Sequence, residues 1–233
     1  MKKNLRKLFL CLLAVVLTTS YVSAQFSFGP RAGFNYTNMR YEFEGQKVPK
    51  EFIKFKSGFQ IGVVADYELS AVTSIQSGLL FAQQGYKADY TSAGGNKAIM
   101  NLNYLQIPVN AQIKIPLGEI DLLVQTGPYF GYGINGKYKY WDENGKRMSN
   151  EDIKKRFGTI PKVSFGNEFG KNHLKSFDFG IGVGAGLQFG NIQAGLEYNM
   201  GIRNLAIKQP YKGLHLLTKN KGFALTITYL FGY

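Results

Sequence analysis

The chain has 233 residues with a formal net charge of +13, a length that suits one domain. Tyr and Phe number 15 and 18 and Gly 28, against one Trp and one Cys. One cysteine excludes a disulfide framework and a cysteine-based metal site.

The N-terminus carries Lys2, Lys3, Arg6 and Lys7 before an apolar run from Leu8 to Leu17, and Val22-Ser23-Ala24 supplies small residues ahead of Gln25. This pattern predicts a secretory signal peptide over residues 1–24 and a mature domain over residues 25–233. The run is too short to cross a bilayer as a helix. Cys11 falls inside it, and Gln25 rather than a cysteine follows the cleavage point, which excludes a lipid-anchored start.

In chain order, alternation of apolar with small or polar residues predicts eight strands: Phe26 to Met39, Ser57 to Leu69, Val72 to Tyr86, Leu102 to Ile115, Ile120 to Ile134, Phe177 to Phe189, Ile192 to Arg203 and Phe223 to Tyr233. The period is clearest in the last three. Phe177, Phe179, Ile181, Val183, Ala185, Leu187 and Phe189 alternate with Asp178, Gly180, Gly182, Gly184, Gly186 and Gln188. Such runs exceed the five or six residues of an average globular strand and match the nine to eleven of a tilted membrane-spanning one. Pro108 interrupts the fourth strand, where it cannot donate to a ladder, and a bulge is expected there.

The connections alternate as well. Ser70-Ala71, Pro116 to Glu119 and Gly190-Asn191 are tight turns, whereas residues 40–56, 87–101, 135–176 and 204–221 are long loops. An even number of long antiparallel strands joined alternately by short turns and long loops predicts an all-β, eight-stranded, antiparallel, transmembrane up-and-down barrel in a Gram-negative outer membrane. Its short turns would be periplasmic and its long loops extracellular. A soluble lipocalin-like carrier would alternate too, with its apolar face inward. The unbroken apolar phase and the ending Tyr229-x-Phe231-x-Tyr233 favour lipid outside. That ending resembles the C-terminal signal read by the outer-membrane assembly machinery.

Four strings carry a wider resemblance: Ser77-Gly-Leu-Leu-Phe-Ala-Gln-Gln-Gly85, Asn103-Tyr-Leu-Gln-Ile-Pro108, Gly127-Pro-Tyr-Phe-Gly-Tyr132 and Leu196-Glu-Tyr-Asn-Met-Gly-Ile-Arg203. They resemble the PorT-like outer-membrane β-barrel family of Bacteroidetes, across essentially the whole mature chain. Gln106 stands where that family often has a glutamate, so an ionic role there is not carried over. The resemblance implies a porin-family barrel and, through the name-giving member, a link to type IX protein secretion.

An eight-stranded lumen is just wide enough for side chains to fill. Continuing the turn pairings predicts two inward ion pairs, Asp178 with Arg203 and Lys114 with Asp121; a charged path through Asp66, Glu68 and Glu197 is the other reading of those carboxylates. Beyond the signal, every Lys and Arg except Arg31, Lys114 and Arg203 lies in a long loop. A basic rim of this kind suits lipopolysaccharide phosphates, and nucleic acid is not an expected partner of a surface barrel. In the longest loop, Ser149-Asn-Glu-Asp152 predicts a capped helix start. Ile153 and Phe157 would share a face, Lys154, Lys155 and Arg156 crowd the end, and Gly158 would close it. These five residues, 153–157, are candidates for docking an envelope or secretion-system protein, and a lid over the barrel mouth is the other reading of the same helix.

The sequence carries no catalytic signature, no metal-ligand spacing and no cofactor motif. The alternative of a lipid-modifying enzyme would need a histidine near a serine and an acid. His173, with Ser176 and Asp178 close in sequence, and His215 are the material available. A non-enzymatic interaction or accessory protein of the envelope is the expected role.

Overall fold

A computed structural model describes residues 26–49, 51–91, 96–142, 145–158, 162–169, 173–207 and 215–232. The signal-peptide segment and Tyr233 lie outside the described residues. Eight long strands follow one another: β1 (Phe26–Phe43), β2 (Lys56–Ser70), β3 (Thr73–Asp89), β4 (Lys97–Pro116), β5 (Asp121–Trp141), β6 (Phe177–Phe189), β7 (Ile192–Gly201) and β8 (Leu216–Tyr229). Each pairs antiparallel with its neighbour in sequence. β8 returns to pair with β1 from Arg31↔Thr228 to Phe43↔Leu216, so the long strands form a ring with no free edge. Two-residue ladders at Gln46–Lys47, Ile53–Lys54 and Lys162–Val163 decorate one end.

Burial follows the strand period, and the apolar phase faces outwards. Phe34, Ile61, Val63, Leu79, Leu105, Val183, Leu196, Leu225 and Ile227 are exposed, while Arg31, Asp66, Gln76, Gln112, Lys114 and Glu197 are buried inside. This is the reverse of a soluble carrier and the arrangement a lipid-facing wall requires. Aromatic rings bound the apolar band at both ends. Phe26, Phe28, Tyr67, Phe189, Tyr229 and Phe231 sit near the short turns; Tyr36, Phe130, Tyr132, Phe177 and Phe223 sit towards the long loops. Between Phe28 and Tyr36 of β1 the rise is roughly 20 Å for a strand tilted about 40°, close to the ~25 Å of an outer-membrane apolar band.

Several expected boundaries move. β4 and β5 reach Lys97 and Trp141, where loops were expected, and pair with each other to the end (Lys97↔Trp141). The Lys137-Tyr138-Lys139-Tyr140 stretch keeps the period of two, with charge in place of small residues. β8 runs from Leu216 to Tyr229, because Leu216–Gly222 pair with the upper part of β1; Phe231 lies past the strand and bridges Phe28 alone. β7 stops at Gly201, since the Ile202 and Arg203 N–H groups both turn back to the Phe179 carbonyl (2.8 and 3.1 Å). The bulge expected at Pro108 is also displaced. Pro108↔Tyr129 and Ala111↔Thr126 share one register, and the shift falls between Asn103 and Tyr104. Pro108 instead offers its carbonyl to the Ser77 hydroxyl (2.8 Å).

Candidate functional site: a filled lumen and its loop cap

The inward phase of the short-turn half carries glutamines on several strands, and these link the charged residues. Arg31 of β1 donates through Nε to the Thr228 hydroxyl (2.8 Å) and through its guanidinium to the Gln76 amide oxygen. Its Nη1 lies 3.6 Å from Glu197 of β7. Glu197 accepts from the Gln125 amide (2.7 Å), whose own oxygen accepts from Gln112 (2.6 Å). Ser74 donates to Asp66 (3.0 Å), and Lys114 pairs with Glu68 and lies 3.9 Å from Asp66. Gln76 also donates to Gln193 (3.0 Å), and Gln193 to Gln188 (3.0 Å). The bonds from Arg31 to Gln76 and Glu197 cross the interior between strands that are not ladder neighbours. Such a network satisfies most of these buried polar groups, which would otherwise carry a large desolvation penalty; Asp66 Oδ2 has no hydrogen bond and faces the Lys114 ammonium at 3.9 Å.

Asp178 forms a second node higher up. It accepts from the Asn220 amide (2.8 Å), from the Tyr129 hydroxyl (3.4 Å) and from the backbone N–H of Phe179 (2.9 Å). Tyr104, fully buried, accepts from the same Asn220 amide (3.3 Å). Gly180 leaves the space that Tyr129 fills: a Cβ there would stand 2.4 Å from the tyrosine ring.

The lumen becomes apolar at the long-loop end. Met39, Met100, Leu102 and Tyr104 of the strands pack with Val163, Leu174 and Leu205 of the loops, and Tyr41, Tyr86, Tyr138 and Phe165 close over them. Phe165 stacks edge-on against Tyr104 (5.4 Å) and sits where a Cβ on Gly133 would be 2.4 Å from its ring. Interior cavities of about 20 and 10 Å³, lined by Gln106 and Tyr129 and by Arg31 and Gln125, have room for an isolated water each. The described interior is a packed core.

Both sequence-derived ion pairs are replaced. The turn after β4 is Leu117 to Ile120, one residue further along than expected, so Pro116 opposes Asp121 and Lys114 opposes Leu123. Lys114 therefore pairs across β3 with the carboxylates of β2. Arg203 lies beyond the end of β7, exposed on the outer surface with its guanidinium 5.1 Å from the Phe177 ring, while Asp178 stays inside. The histidine constellation separates as well. His173 Nδ1 accepts from the Ser164 backbone N–H (3.2 Å) and lies 3.0 Å from the Ser164 hydroxyl, whereas Asp178 is engaged within the lumen. Among the described residues no group of three His, Cys, Asp or Glu could hold a metal.

The loop helix α1 forms at Asn150–Phe157. Ser149 caps it, accepting from the Asp152 N–H (3.1 Å), and Asp152 accepts in return from the Ser149 N–H (3.2 Å) and hydroxyl (2.7 Å). Those bonds hold the Asp152 carboxyl below its ordinary range. Gly158 closes the helix at φ 69°, a left-handed conformation that suits glycine. Ile153 is buried, Lys154, Lys155 and Arg156 are exposed, and the Phe157 side chain lies outside the described residues. At the opposite end Tyr229 and Phe231 meet edge to face (4.9 Å).

Sequence reasoning passed over the glutamines. Their recurrence in the inward phase (Gln76, Gln112, Gln125, Gln188, Gln193) was the available signal for a hydrogen-bonded interior.

The model of the family described as outer membrane protein beta-barrel domain matches residues 20–206. The chain belongs to that family. Its members place a barrel in the outer membrane, in agreement with the outward apolar wall. No curated protein matches the chain. Among solved structures, it is similar to the attachment invasion locus protein Ail of Yersinia pestis (14% identity, 89% of this chain and 99% of that one, TM-score 0.36). It is also similar to the outer membrane protein OprG from Pseudomonas aeruginosa (12% identity, 89% and 96%, TM-score 0.44) and to the outer membrane protease OmpT from Escherichia coli (12% identity, 89% and 97%, TM-score 0.37).

Proposed function

We propose that this family member is a non-conducting, non-enzymatic barrel that serves the envelope as an interaction protein, with its long-loop end at the cell surface. The observation that carries the reading is the interior: a hydrogen-bonded polar core beneath an apolar cap leaves no passage for a solute, which moves function to the outer surfaces. Those surfaces offer the helix α1, with Lys154, Lys155 and Arg156 exposed around the buried Ile153, and a basic rim suited to lipopolysaccharide. The four PorT-like strings put a component of a type IX-like secretion apparatus first among the protein partners. Tyr229 and Phe231, together with the terminal Tyr233, are the residues through which the outer-membrane assembly machinery would engage the chain.

Crosslinking in intact cells, with an affinity tag in the loop after β7, tests this reading. A protein recovered in near-equal amount, and lost when residues 149–158 are deleted, supports it. Recovery of the barrel alone rejects the partner. Lipid A that changes in composition when His173 is replaced by alanine would reject the non-enzymatic assignment.

A further inference from the structure

The outer wall formed by β1 and β8 changes its chemistry by register step. Phe34↔Leu225 and Tyr36↔Phe223 are outward pairs, and the next pairs of that phase are Asn38↔Lys221, with Asn38 buried beneath the chain at Ile53, and Arg40↔Lys219. Below the change lies an aromatic patch, in which Tyr36 stacks on Phe55 (4.8 Å) and Phe223 lies 6.2 Å from Phe55 and 4.9 Å from Tyr198. Above it, Arg40 and Lys219 stand directly opposite each other with Lys221 on the diagonal. Like charges opposed across strands destabilise a sheet. Glu42 is paired with Arg40.

A cavity of about 230 Å³ opens at this level, lined by Asn38, Arg40, Lys47 and Lys221 with Met39, Tyr41, Val48 and Ile53 as its less polar side; Met39 and Tyr41 also belong to the lumenal cap, so the cavity reaches the wall from both faces of β1. It exists because the β1–β2 ladder ends at Thr37↔Lys56 and β1 next pairs on that side at Glu42↔Lys47. Residues 38–40 thus have no ladder neighbour there, the Tyr41 carbonyl accepts from the Val48 N–H (3.1 Å), and the chain skirts the gap, held by the Asn38 amide donating to the Ile53 carbonyl (3.0 Å). The cavity is over ten times the size of the lumenal ones.

An aromatic row marks the interface of an outer-membrane wall, and the next step outward is headgroup level. We propose that this cavity binds the phosphate headgroup of an outer-leaflet lipid, a phosphorylated glycolipid. The phosphate sits among Arg40, Lys47, Lys219 and Lys221, and the acyl chains lie along Tyr36, Phe55 and Phe223. The site rests on the orientation proposed above, which chemical labelling of the α1 loop in intact cells reads independently.

The test uses the folded full-length barrel in detergent, with native mass spectrometry against diphosphoryl lipid A, enzymatically dephosphorylated lipid A and inorganic phosphate. Lipid A should be retained, the dephosphorylated form should not, and inorganic phosphate should fail to displace it. The variant Arg40→Gln/Lys47→Gln/Lys221→Gln should weaken retention at least about tenfold, the scale of one charge-assisted hydrogen bond. Lys154→Gln/Lys155→Gln should leave it unchanged. The heat-dependent gel shift of a folded barrel verifies every variant, and Lys47→Gln alone, on an exposed two-residue ladder, covers a failure of the triple variant to fold. Equal loss from the α1 variant, or unchanged retention by the cavity variants, overturns the site. Displacement by inorganic phosphate overturns the lipid as its ligand.

Discussion

Replacing Arg31 by methionine keeps most of the side-chain volume and removes the charge that faces Glu197. At the observed 3.6 Å, an effective dielectric of about 20 puts the gross attraction at about 4–5 kcal/mol. Arg31 also gives hydrogen bonds to Thr228 and Gln76, which lose their donor. Glu197 keeps its bond from Gln125 but stays buried without its cation. Breaking a buried pair from one side costs about 3–5 kcal/mol, a large part of the 5–15 kcal/mol typical of a whole domain. Urea titration in lipid vesicles, read by the heat-dependent gel shift, measures the change. Arg31→Met/Glu197→Gln should recover most of the loss, because no buried charge is then left alone. A single variant within about 1 kcal/mol of the parent, the level of an exposed pair, would refute the reasoning that the lumen is dry and closed at this layer.

Other outcomes follow from the same geometry. Reconstituted in planar bilayers, the parent barrel should show no unitary conductance; regular current steps would contradict the packed interior. Gly85→Ala should destabilise by about 1–3 kcal/mol, since a Cβ would fall 1.9 Å from the Met100 carbonyl on a backbone at φ 135°. Gly131→Ala, whose Cβ meets side chains at 3.4 Å and beyond, should stay near parental stability in the same titration. Ser149→Ala should open helix α1 by about 1 kcal/mol, read as faster amide exchange at Asp152 and Ile153. The Asp152 carboxyl is lowered by its bonds from Ser149. Its share of the cap is therefore complete above the ordinary aspartate value of about 3.9 and is lost as pH falls through the lowered one. Protection beyond the intrinsic exchange rate should be level from neutral pH to about 5 and fall in acid, and Asp152→Asn should remove that step.

The extent to which the structure could be read in advance depends on how local each feature is. The β6–β7 hairpin was legible because Gly190-Asn191 turns the chain in two residues and the register follows from it, down to Ile192↔Phe189. Even so, the Asp178–Arg203 pair failed, because where a ladder stops is decided by groups outside it, here the Phe179 carbonyl taking two N–H groups. The β4–β5 turn was misplaced by one residue, which was enough to move Lys114 from Asp121 to Glu68. The cap could not be seen at all, since Val163, Phe165, Leu174 and Leu205 have no period that marks them as interior.

By itself the sequence determined the number of long strands, their two faces, the tight Gly190-Asn191 turn and the capped helix. Each depends on residues within a few positions of one another: a period of two, a turn, a four-residue capping box. Only the tertiary structure decided which polar groups meet inside and which loop residues close the top. Arg31 is on the first strand and Glu197 on the seventh, with β8 between them around the wall. They meet because the sheet closes into a ring, and closure is a property of all eight strands together.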